Sequence, residues 1–160
     1  MTTTEILAAD ETGSIERAAK LLLSGQLVAF PTDTVYGVGA PAFDAASVAA
    51  IYVAKERSPE KAIPVLIADE ADLPRIAAAV PESARVLIAH FWPGALTLVL
   101  PMRPDVPEIV SSDATVAVRI PDLDLTRALL RLTGPLAATS ANLSGQPSPV
   151  IAADVRAQLG

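Results

Sequence analysis

The stretch LVAFPTDTVYGVGA, residues 27–40, decides the fold expected of this chain. Residues 27–30 form a short apolar run typical of a buried strand, and Pro31 ends it because proline cannot donate to a strand ladder. Hydroxyls and a carboxylate follow, and then Gly37 and Gly39, which let the main chain pass close to another group. Open α/β sheets bind ligands at such loops, although an ordinary strand exit has the same composition.

Length and composition limit the chemistry that the chain can perform. With 160 residues, 51% of them hydrophobic, the chain suits one domain over residues 1–160. The sequence contains no cysteine and a single histidine, His90, which excludes disulfides, a thiol nucleophile and most zinc sites. Any chemistry must therefore use hydroxyls, amides, carboxylates, lysine and arginine, and we expect no metal ligand from the protein.

The net charge of −6 argues against broad electrostatic binding to a nucleic-acid backbone, although it allows a local basic cleft. The apolar runs are far shorter than the roughly 20 residues that cross a bilayer. The first dozen residues carry Glu5, Asp10 and Glu11 and lack the basic and apolar parts of a secretory signal. We expect a cytoplasmic protein without a membrane segment.

Helical and strand-like segments alternate along the chain, which predicts the α/β class. Helices are predicted to begin near Ser14, Asp44, Asp69 or Asp72, Pro81 and Asp122, because these residues suit helix caps or first turns. Strands are predicted at residues 27–30, 64–68, 95–100, 115–120 and 136–139.

A basic run follows the second predicted helix. Lys55, Arg57 and Lys61 place three cations within seven residues. Arginine binds phosphate oxygens through a planar fork, and lysine binds them as a point charge. The alternative is that the run is simply a solvated helix end.

Arg119 interrupts the apolar strand TVAVRIP at residues 115–121. Burial of an unpaired cation is costly, so this arginine needs a partner. Two partners fit equally well, namely one of the 18 acidic residues in a structural ion pair or the carboxylate of a ligand.

Hydroxyls and an amide precede a glycine in the segment TSANLSG at residues 139–145, and Ser148 comes shortly after it. Such a strand end can cradle an anion, although the same composition makes an ordinary cap or turn. The cluster of residues 91–94, FWPG, is most simply a packing corner, and we assign no role to His90 beside it.

Together these segments resemble the YrdC-type family, the threonylcarbamoyl-AMP synthases that serve tRNA modification. The matching motifs follow the family's order and spacing: PTDTVYGVGA at 31–40, KERSPEK at 55–61, FWPGALTLVL at 91–100, TVAVRIP at 115–121 and SANLSGQPSP at 140–149. The resemblance implies a twisted, open, mixed sheet with helices packed on it and a concave basic cavity. It also implies that ATP, L-threonine and bicarbonate give threonylcarbamoyl-AMP and pyrophosphate.

The resemblance also implies roles for individual residues. The family's catalytic tetrad of the form Lys-x-Arg and Ser-x-Asn matches Lys55, Arg57, Ser140 and Asn142. The residues implied to face ATP are Arg57, Lys61, Thr115, Ser140, Asn142 and Ser148. Those implied to contact threonine are Thr32, Thr34, Arg119 and Ala138. Mg²⁺ is expected to arrive with the ATP phosphates.

Two features depart from the family pattern. Leu66 stands where many relatives carry a histidine near the amino acid, and the sequence ends at Gly160, so the family's further strand and Ser-Thr-Val segment are expected to be absent from it. Two other functions stay open: a non-catalytic, translation-related module that binds double-stranded RNA, and a carbamoyl-adenylating relative with another substrate. The partners expected besides the substrates are RNA or the tRNA-modification machinery. Acidic charge and the lack of aromatic residues among basic ones disfavour the RNA module.

Overall fold

The computed structural model describes residues 4–160 and contains one six-stranded sheet. The strands are β1 Val28–Phe30, β2 Gly37–Pro41, β3 Val65–Leu66, β4 Leu98–Pro101, β5 Thr115–Arg119 and β6 Leu136–Ser140. The α-helices are α1 Ser14–Leu23, α2 Ala45–Ala54, α3 Glu82–Phe91, α4 Asp124–Thr133 and α5 Ala152–Leu159, and a 3-10 helix covers Glu70–Arg75.

The sheet is mixed and open, as predicted. Its strand order is β1-β2-β6-β3-β5-β4, with β1 and β4 at the two edges. Only β3 and β5 pair in parallel, and the other neighbouring strands pair antiparallel. The β3–β5 pairing aligns Leu66 with Arg119, so these two side chains share one face of the sheet.

Alternation along β5 separates the two faces of the sheet. Val116 and Val118 are buried in the larger core, to which α2 and α3 also contribute. Thr115, Ala117 and Arg119 point to the opposite face and are half-buried. On that face a smaller core joins the sheet to α1 and α4. Arg119 therefore lies beside the smaller core, on the less covered part of the sheet.

The predicted caps were right at one helix and wrong at two. Asp44 caps α2, because its side chain accepts hydrogen bonds from the main-chain nitrogens of Ala46 and Ser47. Ser14 does not act as a cap, since it is the first residue of α1 and no side chain caps that helix. The helix predicted from Asp122 begins at Asp124 and also lacks a side-chain cap.

The alanine-rich helix predicted after Asp69 is wrong. Asp69 and Asp72 do form a reciprocal capping box, but only the 3-10 helix follows. Pro74 lies inside that helix and has no main-chain N–H, so an α-helix cannot continue through it. The chain then turns to the sheet edge, where Ala77 bridges to Met102.

The polar loop predicted after Pro31 is shorter than expected, because residues from Gly37 onward form β2. Gly39 serves strand packing rather than a ligand. A Cβ atom there would lie 3.0 Å from the Phe30 ring and 3.2 Å from the Ala137 carbonyl oxygen. The polar loop itself is therefore limited to residues 31–36.

Across residues 4–160, the helices are too short or too polar to span a membrane.

Asp44→Ala should destabilise the protein by about 1 kcal/mol, because two main-chain N–H groups of α2 lose their acceptor. Urea denaturation measures the change, and Asp10→Ala removes the same charge from an exposed turn as a control. Equal effects of the two substitutions would contradict the capping role.

Candidate active site

A cavity of about 180 Å³ opens between the loop at residues 31–35 and the sheet. The four residues implied to contact threonine all line it: Thr32, Thr34, Arg119 and Ala138. Ser140 lines it as well. The structure thus gathers residues from the loop, β5 and β6 that lie more than 80 positions apart in the sequence.

The loop is held in shape by its own hydroxyl groups. Thr32 Oγ1 donates to the Val35 carbonyl oxygen at 2.6 Å and accepts from the main-chain nitrogens of Thr34 and Val35, both at 3.2 Å. The buried Thr126 hydroxyl of α4 donates to the Pro31 carbonyl oxygen and anchors the start of the loop. The Thr32 hydroxyl is therefore committed to the turn, and Thr34 Oγ1 lies 3.0 Å from it at the cavity.

Arg119 contacts three groups around the cavity. Its Nε donates to the Gly94 carbonyl oxygen at 2.8 Å, and one terminal nitrogen donates to Thr34 Oγ1 at 3.1 Å. The other terminal nitrogen forms an ion pair with Asp33. Of the two partners that the sequence left open, the acidic residue is present, and it is Asp33. Three of the five guanidinium N–H groups are used, which leaves two for a ligand.

Asp33 was not assigned a role from the sequence, although it stands beside Thr34 in the same motif. The signal that could have identified Asp33 is its position directly before Thr34. In a tight turn, neighbouring polar side chains can contact one group together, and here Asp33 and Thr34 both bind Arg119.

Lys55 is 1% exposed at the end of α2, so its ammonium group is buried. Its Nζ donates to the main-chain carbonyl oxygens of Ser140 and Asn142. Burial lowers the pKa of Lys55 to about 8, and the nearby charge of Arg57 adds to the effect. The predicted tetrad members Lys55, Ser140 and Asn142 are therefore in direct contact.

Asn142 offers a buried acceptor beside this lysine. Its Nδ2 donates to the carbonyl oxygens of Leu143 and Gln146 at 2.8 and 2.9 Å. Its Oδ1 is buried and receives no hydrogen bond from the part of the chain that the structure describes. Such an atom costs free energy unless a ligand or a water donates to it.

Arg57 and Lys61 lie outside the 180 Å³ cavity. The Arg57 guanidinium donates to the main-chain oxygens of Lys61 and Ala62 at 3.3 and 2.9 Å, and it lines a second, shallower depression with Tyr52 and Ile109. The Lys61 side chain is exposed. These two cations therefore belong to one loop, and neither of them lines the cavity that holds Thr34 and Arg119.

The remaining residues implied for ATP are Thr115, the first residue of β5, and Ser148, in the segment after β6. The Thr115 hydroxyl donates to Asp113 at 2.7 Å, and Ser148 is exposed beyond the end of β6. The basic loop and the loop before Thr115 are joined by a hydrogen bond from the Ile63 nitrogen to the Val110 carbonyl oxygen at 2.9 Å. The structure does not gather all the predicted ATP residues around one cavity.

Leu66 forms part of the cavity wall and is buried. It lies opposite Arg119 in the β3–β5 pairing, so the wall next to the guanidinium is apolar. Arg119 is the single charged residue in the described lining, and the broadly basic cavity that the resemblance implies stays a prediction.

Residues 4–160 contain no group of three or more histidine, aspartate or glutamate side chains placed to hold a metal ion. Mg²⁺ accordingly stays a prediction as an ion carried by the ATP phosphates.

The buried lysine gives a pH prediction. The pKa of Lys55 is about 8 in the folded protein against an ordinary 10.5, so between these values the unfolded chain binds more protons. The free energy of unfolding should therefore rise between pH 8 and pH 10, and Lys55→Met should reduce that rise. Thermal denaturation across this range measures the effect, with Lys20→Met on the surface of α1 as the control. An equal rise in Lys55→Met would contradict the assignment.

Known proteins are similar to this chain in sequence over most of its length. The Sua5/YciO/YrdC family model, described as "Telomere recombination", matches residues 20–160. A threonylcarbamoyl-AMP synthase of Bacillus subtilis is 49% identical over 144 residues, which cover 88% of this chain and 42% of that protein.

Solved structures agree with the fold. The crystal structure of Pyrococcus abyssi Sua5 complexed with L-threonine has a TM-score of 0.90 and 43% identity, and the match covers 92% of this chain and 44% of that chain. E. coli YciO shares the fold with a TM-score of 0.74 at 24% identity, covering 82% of this chain and 65% of that chain. The chain thus spans less than half the length of the B. subtilis and P. abyssi proteins, and by its match to the family model it belongs to the Sua5/YciO/YrdC family.

Proposed function

We propose that this chain is an L-threonylcarbamoyl-AMP synthase, an enzyme that forms threonylcarbamoyl-AMP and pyrophosphate from ATP, L-threonine and bicarbonate for tRNA modification. The observation that carries the proposal is the cavity in which Thr34, Arg119 and Ala138 meet. The B. subtilis relative named for this activity adds support, since it is 49% identical in the aligned region.

The cavity suits a small hydroxy amino acid. Two unused N–H groups of Arg119 can bind a carboxylate, and the Thr34 hydroxyl offers a polar contact. Leu66 and Ala138 supply apolar wall for a methyl group. A volume of about 180 Å³ fits a ligand of this size better than a nucleotide.

ATP in this proposal lies across the adjoining loops, with Arg57, Lys61, Thr115, Ser140, Asn142 and Ser148 around it. Arg57 and Lys61 neutralise phosphate charge, and the buried Asn142 Oδ1 accepts a hydrogen bond from a donor at the site. Ser140 belongs to both sites, because it lines the cavity and its carbonyl oxygen receives Lys55. In this proposal the two substrates lie side by side at the end of β6.

The reaction is an adenylyl transfer. The threonine amine and bicarbonate form a carbamate with release of water, as a C–N bond replaces a C–O bond. A carbamate oxygen then attacks the α-phosphorus of ATP while the bond from that phosphorus to the bridging oxygen of pyrophosphate breaks. Positioning and charge neutralisation carry most of the rate in such transfers. Arg57 contributes charge neutralisation, and Lys55 contributes positioning by holding the loop after β6 in place.

Mg²⁺ would be held by the ATP phosphates and would supply further charge neutralisation there. The proposal also includes a cytoplasmic location and contact with the tRNA-modification machinery. Double-stranded RNA binding is the alternative without catalysis. Release of pyrophosphate that depends on ATP, L-threonine and bicarbonate together tests the synthase directly, and duplex binding with a steep salt dependence but no pyrophosphate release would favour the alternative.

Arg57→Ala should weaken ATP binding by roughly 1.5 to 3 kcal/mol, because one charge-assisted phosphate contact is lost. Isothermal titration calorimetry with ATP measures the change. Arg103→Ala is the matched control, since Arg103 is paired with Asp105 on the surface and is not assigned to the site. Unchanged ATP affinity in a folded Arg57→Ala protein would remove Arg57 from the proposed site.

Arg119→Lys should fold and keep its charge beside Asp33, but it should bind L-threonine at least about tenfold more weakly, because an ammonium group cannot form two parallel hydrogen bonds. ATP affinity should stay within twofold of the wild type. Calorimetry with each ligand and a melting curve separate the outcomes. A lower melting temperature with threonine binding intact would show that Arg119 has a structural role only.

A further inference from the structure

The ion pair between Arg119 and Asp33 gives the cavity an unusual charge balance. Both side chains are largely buried, with exposed fractions of 11% for Arg119 and 17% for Asp33, so water screens the pair only weakly. The other described residues that line the cavity are uncharged. The lining and its ion-pair partner thus carry one positive and one negative charge, and the Lys55 ammonium group contacts the carbonyl oxygen of the lining residue Ser140.

Asp33 acts on the cavity through Arg119, since Asp33 itself is not among the lining residues. A ligand carboxylate on the free N–H groups of Arg119 would share the guanidinium with the Asp33 carboxylate. The two negative groups would then lie within about 6 Å of each other, a distance at which like charges repel appreciably. A ligand that also carries an ammonium group brings its own compensating charge.

We propose that Asp33 determines specificity by making this cavity favour a zwitterionic amino acid over a simple hydroxy acid. The inference rests on the proposed threonine site and deepens it. The negative charge of Asp33 matters more than its hydrogen bond, because Arg119 is already held by the Gly94 carbonyl oxygen and by Thr34. Loss of the charge would leave a cavity with a net positive charge that any carboxylate can enter.

The ligands for the test are L-threonine and (R)-3-hydroxybutyrate, which is threonine without its amino group. Calorimetry gives the affinity of both for the wild type, Asp33→Asn and Asp105→Asn. The last variant is the matched control, because it removes the same charge from an arginine ion pair on the surface. The readout is the ratio of the two affinities, which a general loss of stability does not change.

The wild type and Asp105→Asn should prefer L-threonine at least about tenfold. In Asp33→Asn the preference should shrink by about tenfold, chiefly because hydroxybutyrate binds more tightly. An unchanged preference in Asp33→Asn would overturn the proposal and leave Asp33 as a structural residue. Equal tightening of both ligands would also overturn it, because Asp33 would then only compete with the ligand carboxylate.

The wild type alone tests the idea if Asp33→Asn does not fold. Similar affinities of the wild type for L-threonine and hydroxybutyrate would overturn the specificity role while leaving the site intact. Failure of the wild type to bind L-threonine would overturn the proposed threonine site, and the specificity role with it.

Discussion

The ammonium group of Lys55 is the constraint on which the site depends, because a buried cation must be surrounded by oxygen atoms. The two carbonyl oxygens that hold it belong to Ser140 and Asn142, about 85 residues further along the chain. In return, the main-chain nitrogen of Ser144 donates to the Lys55 carbonyl oxygen at 2.9 Å. These contacts fasten the segment after β6 to the end of α2, and they fix where Ser140 meets the cavity.

Arg119 fastens the elements on the other side of the cavity to one another. Its guanidinium joins β5 to the loop at residues 31–35 through Asp33 and Thr34, and to the turn before β4 through Gly94. These two loops lack helical and strand structure and are held in part by side chains, and the Gly94 turn also by a main-chain hydrogen bond from its nitrogen to the Ile120 carbonyl oxygen at 2.9 Å. A loop fixed in this way keeps its hydroxyl groups in position without ligand, which lowers the entropy lost on binding.

The sequence predicted most of the elements, and the family resemblance named four residues that line one cavity. Prediction failed where tertiary contacts decide. The local sequence was sufficient to predict α2, because its cap Asp44 accepts a hydrogen bond from Ser47, only three residues later. It wrongly predicted a ligand-binding loop at residues 37–41, because the glycines there pack against Phe30 and against β6. The local sequence also did not show which residue of the charge run is buried. Lys55 is buried and its neighbour Glu56 is exposed. Lys55 is buried because carbonyl oxygens distant in the sequence accept its hydrogen bonds.

Lys55 and Arg119 differ in what holds them, and the difference suits the two proposed substrates. Lys55 is held by neutral carbonyl dipoles, so its charge is not cancelled, and below its pKa of about 8 it adds to the charges of Arg57 and Lys61. Arg119 is held by a carboxylate, so its end of the site is close to neutral. A polyanion such as ATP is favoured by the first arrangement, and a zwitterion by the second. The same fold can therefore keep the two ligands apart by charge alone, although Ser140 lies at the border of both regions.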